Sequence, residues 1–174
     1  EIGHNYGLWH ANFWDAGTTV IGTGSNVEYG NIYSTMGKSG NFGEFNSNER
    51  QLLAWLPAAN YHTVTASGTY RVVSLENATI SGSTKYALKV QKDSDRDYWF
   101  EYHKPYTGGL AAANPWSTNG AIALWDRWAS SANGTHLLDM TPATATLNDA
   151  ALLIGQTHSD PAASLHVTVL GKGG

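Results

Sequence analysis

The sequence contains no cysteine among its 174 residues, which excludes disulfide bonds, thiol nucleophiles and cysteine-ligated zinc sites. Charged residues make up only 14%, no cluster of Lys and Arg occurs, and the net charge is −4, so a nucleic-acid partner is not expected. No apolar run approaches the roughly 18–20 residues of a membrane-spanning helix. A hydrophobic fraction of 41% with 7 Trp is typical of a folded chain.

Two regions with different hydrophobic patterns divide the chain. Residues 1–60 contain many glycines and two segments with helical spacing, Glu1–His10 and Ser47–Leu56, the second followed by Pro57. From residue 61 onward, apolar and polar residues alternate, which predicts an antiparallel sandwich or barrel. Eight strands are predicted there: Tyr61–Ala66, Tyr70–Leu75, Lys85–Gln91, Tyr98–His103, Ala121–Trp125, Thr135–Asp139, Ala151–Ile154 and Leu165–Leu170.

The first ten residues contain the pattern E-x-x-H-x-x-G-x-x-H, formed by Glu1, His4, Gly7 and His10. Two His residues four positions apart on a helix lie on one side and can hold a zinc ion. A Glu directly after the first of them points to the same opening, where it can accept a proton from a zinc-activated water. Gly7 can adopt a positive φ and end the helix, so that His10 turns back as a further ligand. The first His of this pattern would precede Glu1, and we therefore expect the chain to be a fragment.

A methionine in a short glycine-terminated segment, Ile32–Gly37, supports the same interpretation. Together with Glu1–His10, Met36 resembles the zinc signature and methionine turn of the metzincin metalloproteases. The neighbouring residues Ala11-Asn12 and Tyr29-Gly30 make the chain similar to the gametolysin-like family within that group. The resemblance implies that Met36 lies beneath a zinc ion and forms an apolar floor for the ligating imidazoles.

The resemblance also implies an α+β domain organisation and a function. Residues 1–60 would be the C-terminal part of a zinc-peptidase catalytic domain, and residues 61–174 the antiparallel β-sandwich that follows it in bacterial members. The intact protein would be a secreted, extracellular zinc-dependent endopeptidase that uses Zn²⁺ and acts on a protein or peptide substrate. His4 and His10 would bind the zinc and Glu1 would be the general base.

The same resemblance leads to two narrower expectations. The 174-residue chain lacks the first His and the N-terminal subdomain, so the chain by itself is expected to be inactive. Tyr29 and Tyr33 are candidates for stabilising an oxyanion, because Lys38 stands where some metzincins carry a tyrosine.

Other patterns leave alternatives open. The alternating carboxylates of Asp93–Asp97 could ligate Ca²⁺, but the segment lacks the glycine and distal Glu of an EF-hand loop, and a solvated hairpin turn is favoured. Trp99 and Trp125 lie in predicted strands and are assigned to the core rather than to a sugar-binding surface. A different class of function is a β-sandwich binding module for polysaccharide or protein, with a vestigial helical opening. The sequence does not indicate an oligomeric state.

Overall fold

The computed structural model describes residues 2–38, 44–76, 80, 82–104, 115–127 and 134–173. Within these ranges the chain is mostly β-sheet with few and short helices, as expected for a sheet-rich fold. The α-helices are α1 (Ile2–Asn5) and α2 (Ser47–Leu52). The strands are β1 (Ala11–Asp15), β2 (Ser25–Val27), β3 (Tyr61–Val64), β4 (Ala87–Gln91), β5 (Asp97–Glu101), β6 (Gly120–Arg127), β7 (Gly134–Leu137), β8 (Leu152–Leu153), β9 (Thr157–Asp160) and β10 (Leu165–Thr168).

Eight of these strands form one mixed sheet with the order β2-β1-β7-β6-β5-β4-β3, and β8 pairs with the start of β6. The sequence predicted an antiparallel arrangement, but the sheet is mixed. Strand β1 runs parallel to β7, and β3 runs parallel to β4. The remaining strands, β9 and β10, form a separate antiparallel pair. Strands from residues 11–27 therefore share a sheet with strands that follow residue 61, and the division at residue 60 stays a prediction.

Both faces of the sheet are covered by apolar side chains, since alternate residues of the central strands point to opposite sides. On one face, Trp99 and Leu124 belong to a cluster that also contains Leu56 and Leu75. On the other face, Trp125 packs with Tyr98, Phe100, Ala123, Leu138 and Leu165. Trp99 is fully buried and Trp125 is 1% exposed, so the assignment of both indoles to the core is confirmed.

Helix α2 is short but firmly capped. The Asn46 side chain accepts a hydrogen bond from the backbone N–H of Glu49, and the Glu49 side chain accepts one from the N–H of Asn46. This reciprocal arrangement satisfies two N–H groups that would otherwise lack a partner at the start of a helix. The helix ends earlier than the predicted Leu56, because Ala54 adopts a left-handed conformation with φ +58°.

Three further sequence expectations differ from the structure. Residues 70–75 are not a strand, although the N–H of Val73 donates to the carbonyl of Lys85 at 2.8 Å. Strands β1, β2 and β9 occur where none was predicted. The first helix ends at Asn5, slightly before Gly7, where the sequence predicted its end. No helix in the described ranges has the length and apolar character needed to pass through a bilayer.

Candidate metal centre

The chain reverses direction between the two predicted histidine ligands. Gly7 has φ +85°, its N–H donates to the carbonyl of His4 at 2.9 Å, and the N–H of Leu8 donates to the carbonyl of Gly3 at 3.0 Å. These two bonds form a Schellman ending, which requires a left-handed residue and therefore favours glycine at this position. The chain leaves α1 after one turn, and β1 then begins directly after His10.

The imidazoles of His4 and His10 lie side by side. Their ring centroids are 4.9 Å apart and the ring planes are inclined by 71°. The His4 residue is exposed, and the His10 side chain is 22% exposed, so both rings can be reached from solvent. The structure therefore brings together the two predicted zinc ligands that it describes.

Both imidazoles use Nδ1 for a hydrogen bond within the protein. Nδ1 of His4 lies 2.9 Å from the carbonyl oxygen of Leu8, and Nδ1 of His10 lies 2.7 Å from Oε1 of Glu28. A carbonyl and a carboxylate can only accept, so each Nδ1 carries the proton. In the neutral form of each ring Nε2 then has a lone pair, which is what a metal ligand requires.

Met36 packs against the segments that carry the two histidines. The residue is 6% exposed and belongs to a small cluster with Leu8 and Ala11. A Cβ atom on Gly3 would lie 2.3 Å from the Met36 sulfur, so the absence of a side chain at Gly3 permits this packing. The backbone carbonyl of Met36 also accepts the N–H of Ala11 at 2.8 Å. Met36 thus contacts α1 and the residue after His10, as a supporting floor would.

The turn that carries Met36 is tight and is held by hydrogen bonds through Ser34. The N–H of Gly37 donates to the carbonyl of Ser34 at 3.0 Å, and the Ser34 hydroxyl accepts the N–H of Met36 at 3.1 Å. That hydroxyl also hydrogen-bonds the buried carboxyl group of Glu49 on α2. Burial raises the pKa of Glu49 to about 8, against the opposing effect of its hydrogen bonds with Ser34 and Asn46. A neutral Glu49 therefore links the turn to the helix.

Sequence reasoning missed Glu28, which lies beside His10. It follows β2, and the antiparallel pairing of Phe13 with Val27 brings it near the residue that precedes β1. The next residue, Tyr29, stacks on the face of the same imidazole, with ring centroids 3.8 Å apart. No local pattern around residue 28 indicates this contact, because it depends on the hairpin between β1 and β2.

The other predicted site residues have different outcomes. Glu1 lies outside the described residues. Tyr33 is buried, and its hydroxyl donates to the carbonyls of Leu147 and Asn148, so the proton that would stabilise an oxyanion is already used within the fold. Among the side chains that the structure describes, no three His, Asp or Glu residues are grouped so that they could hold a metal ion. Of the predicted ligands, the described residues include His4 and His10, and metal binding by them stays a prediction.

The acidic segment Asp93–Asp97 is a hairpin turn between β4 and β5. Arg96 donates to Asp93 through Nε at 2.9 Å and Nη2 at 2.6 Å, and Lys89 pairs with Asp97 at 2.9 Å. These ion pairs occupy the two outer carboxylates and favour the hairpin interpretation. Binding of Ca²⁺ here stays a prediction.

A second buried polar group lies on the α2 side of the sheet. His103 is placed between Glu76, which contacts its Nδ1, and Glu101, whose Oε1 is 3.0 Å from its Nε2. Burial alone would lower the pKa of His103, but the hydrogen bonds and charges of the two carboxylates outweigh it and raise the pKa to about 10. Burial likewise opposes ionisation of Glu76, yet the contact with His103 lowers its pKa to about 2. This cluster is a buried ion group inside the fold.

A groove of about 880 Å³ is lined by residues 64–72 and 163–172 and by apolar residues of the sheet, Leu88, Val90 and Phe100 among them. None of the predicted site residues lines it. The binding-module alternative would have room for a ligand here, and it stays a prediction.

No protein-family model matches the chain, and neither a curated protein nor a solved structure is significantly similar to it. What the chain does is therefore inferred from its own residues and their geometry.

Proposed function

We propose that this chain is part of a secreted zinc-dependent endopeptidase of the gametolysin-like metzincin type. The observation that carries the proposal is the pair of adjacent imidazoles, His4 and His10, each with Nδ1 hydrogen-bonded and Nε2 left with a lone pair. Met36 packs against the same two segments, as the methionine turn of such an enzyme would. In this proposal residues 1–60 belong to the catalytic domain and residues 61–174 to the β-sandwich that follows it.

The donor set fits zinc. Imidazole nitrogens are common zinc ligands, and a catalytic zinc typically has three protein ligands with one position left open. His4 and His10 would supply two of the three. The third would be a His directly before Glu1 in the longer protein, as the sequence pattern implies. When bound, zinc supplies Lewis acidity to the scissile carbonyl and to the attacking water.

The other roles belong to residues of the chain itself. Glu1 would accept the proton of the attacking water and pass it to the leaving amine, which is the ordinary task of a general base in peptide hydrolysis. Tyr29, which is 48% exposed and stacked on His10, would be available to contact the substrate oxygen. The substrate of the proposed enzyme is a protein or peptide, and the enzyme acts outside the cell.

The test compares two extended chains, one with a single His added before Glu1 and one with a single Ala added there. Isothermal titration with Zn²⁺ should show much tighter binding by the His-extended chain, because it completes the ligand set. His4→Ala and His10→Ala should each remove that gain. His166→Ala is the matched control, since this exposed imidazole contacts only Ser159 Oγ among the hydrogen bonds described.

The proposal would be wrong if the added His did not tighten zinc binding, or if His166→Ala weakened it as much as His4→Ala and His10→Ala do. A separate assay addresses activity. Casein incubated with zinc and the 174-residue chain should not be hydrolysed, and hydrolysis would overturn the expectation that this chain is inactive by itself.

A further inference from the structure

We infer that Glu28 is a positioning residue for His10, fixing the ring with Nε2 unprotonated and ready to bind the metal. This inference rests on the proposed function, because it assigns a role to Glu28 within that metal centre. It begins from the 2.7 Å contact between Nδ1 of His10 and Oε1 of Glu28. A metal-ligating imidazole commonly donates its second N–H to a carboxylate, which selects the tautomer and makes the ring a stronger ligand.

The backbone around Glu28 is held in place for this contact. Asn12 is buried, and its Oδ1 accepts the N–H of Tyr29 at 3.1 Å. Tyr29 itself has φ +59°, a conformation that non-glycine residues rarely adopt. The bond from Tyr29 to Asn12 ties the residue after Glu28 to β1, the strand that follows His10. The reach of the Glu28 side chain to the imidazole is thus set by the β1–β2 hairpin.

Two side chains from the same loop contact the His10 ring in complementary ways. Tyr29 lies against the ring face, at a centroid distance of 3.8 Å and an inclination of 32°. Glu28 accepts the proton in the plane of the ring, at Nδ1. The stacking restricts the tilt of the ring, and the hydrogen bond fixes its rotation and tautomer. The contacts with Glu28 and Tyr29 together therefore set the direction in which Nε2 of His10 points.

His4 provides a contrast within the same chain. Its Nδ1 donates to the backbone carbonyl of Leu8, which no side-chain substitution removes. The His10 tautomer should therefore depend on Glu28, whereas the His4 tautomer should not. The two rings can be observed in one spectrum, so His4 serves as an internal reference.

The test uses the metal-free 174-residue chain labelled with ¹⁵N, at a pH where imidazoles are neutral. Long-range ¹H–¹⁵N spectra report which ring nitrogen carries the proton. In the unaltered chain, both rings should be protonated at Nδ1. Glu28→Ala should convert His10 to a mixture of tautomers and leave His4 unchanged. Glu28→Gln should retain much of the original state, because a carboxamide oxygen can still accept from Nδ1.

A second measurement follows zinc binding by the His-extended chain. Glu28→Ala should weaken Zn²⁺ affinity about tenfold or more, in line with the loss of other carboxylate partners of metal-bound imidazoles. Glu28→Gln should recover part of that loss. Asp95→Ala is the control, since it also removes one negative charge, from an exposed residue of the β4–β5 turn.

The possible failures are distinguishable. If Glu28→Ala leaves the His10 tautomer unchanged, or lowers zinc affinity no more than Asp95→Ala does, the inference is wrong while the proposed function stands. If the unaltered His-extended chain binds zinc no better than its Ala-extended counterpart, the proposed function is wrong. The role of Glu28 in metal binding is then wrong as well. The amide spectrum of each variant verifies that it is folded, and the exposed position of Glu28 makes unfolding unexpected.

Discussion

The hydroxyl of Ser34 lies 2.8 and 3.0 Å from the two carboxyl oxygens of Glu49, inside the protein. Glu49 also caps α2 through the N–H of Asn46, at 2.8 Å. One carboxyl group therefore joins the start of a helix to the turn that carries Met36. Any change in the protonation of Glu49 therefore affects both the helix and the turn.

Glu49→Gln should make the fold less sensitive to pH between about 4.5 and 8. The pKa of Glu49 is raised in the folded protein, so its stabilising contribution is complete below 4.5 and is lost as the pH rises through 8. Gln cannot ionise. Relative to the variant, the unaltered chain should lose on the order of a few kcal/mol of unfolding free energy across this range.

Urea denaturation at several pH values checks this prediction. At each pH the unfolding free energy of the Glu49→Gln variant is subtracted from that of the unaltered chain. All other titrating groups cancel in the difference. Asp95→Asn is the control, because Asp95 is exposed and its substitution should give a nearly flat difference. A flat curve for Glu49→Gln would show that Glu49 is not a neutral buried acid.

Gly3→Ala should destabilise the protein by about 1–3 kcal/mol, because the new methyl group would collide with the Met36 sulfur in a packed core. In a Met36→Ala background the same substitution should cost much less. The coupling between the two sites should lie within about 0.5–3 kcal/mol, as for residues in direct contact.

A double-mutant cycle measured by chemical denaturation gives this coupling. Gly171→Ala is the matched control, since a Cβ there meets no atom within 4 Å. Additive effects of Gly3→Ala and Met36→Ala would contradict the packing of Met36 against α1.

Gly7→Ala should cost about 1–2 kcal/mol of stability, because alanine is strained in the left-handed conformation that Gly7 adopts. Gly155 is a matched position, with the same φ of +85° and open space around its Cβ. Gly155→Ala should cost a similar amount. Only Gly7→Ala should also weaken zinc binding by the His-extended chain, because only Gly7 sets the direction of the chain between His4 and His10. Equal zinc affinities for the two variants would refute this role of Gly7.

His103→Gln should destabilise the protein by about 3–5 kcal/mol at pH 7, because it leaves two carboxylates buried without their cation. The pKa of His103 is raised, so its contribution is complete below 6.5 and is lost as the pH rises through 10. The difference in unfolding free energy between variant and unaltered chain should therefore shrink between pH 7 and pH 10. Urea denaturation at both pH values measures it, with the exposed His166→Gln as a control that should change stability by less than about 0.5 kcal/mol.

Features determined by neighbouring residues were predictable from the sequence. Asn46 and Glu49 are three residues apart, which is the spacing of a helix cap, and α2 begins there. Gly7 has the positive φ expected for it. The strands with clear alternation around Trp99 and Trp125 are present in the sheet. In each case the energetic cause acts within a few residues, so the local pattern contains it.

Features determined by distant residues were not predictable. Strand β1 contains the buried polar residue Asn12 and lacks alternation, and it is a strand because it pairs with β7. Residues 70–75 include β-favouring residues such as Val72 and Val73, yet they form no strand in the described ranges. Glu28 looks like an ordinary surface carboxylate, and only the β1–β2 hairpin brings it to His10. The pair His4 and His10 was predictable because both belong to one short motif.

The parallel pairing of β1 with β7 has a consequence for the order of folding. Ala11 pairs with Thr135, and Gly134 approaches the carbonyl of His10 so closely that a Cβ would lie 2.3 Å from it. Most of the chain must therefore close into a loop before His10 is anchored, and contacts so far apart along a sequence form slowly. A partly folded chain would not yet hold its two imidazoles at their final separation. The metal binding proposed for His4 and His10 would then have to follow the pairing of β1 with β7.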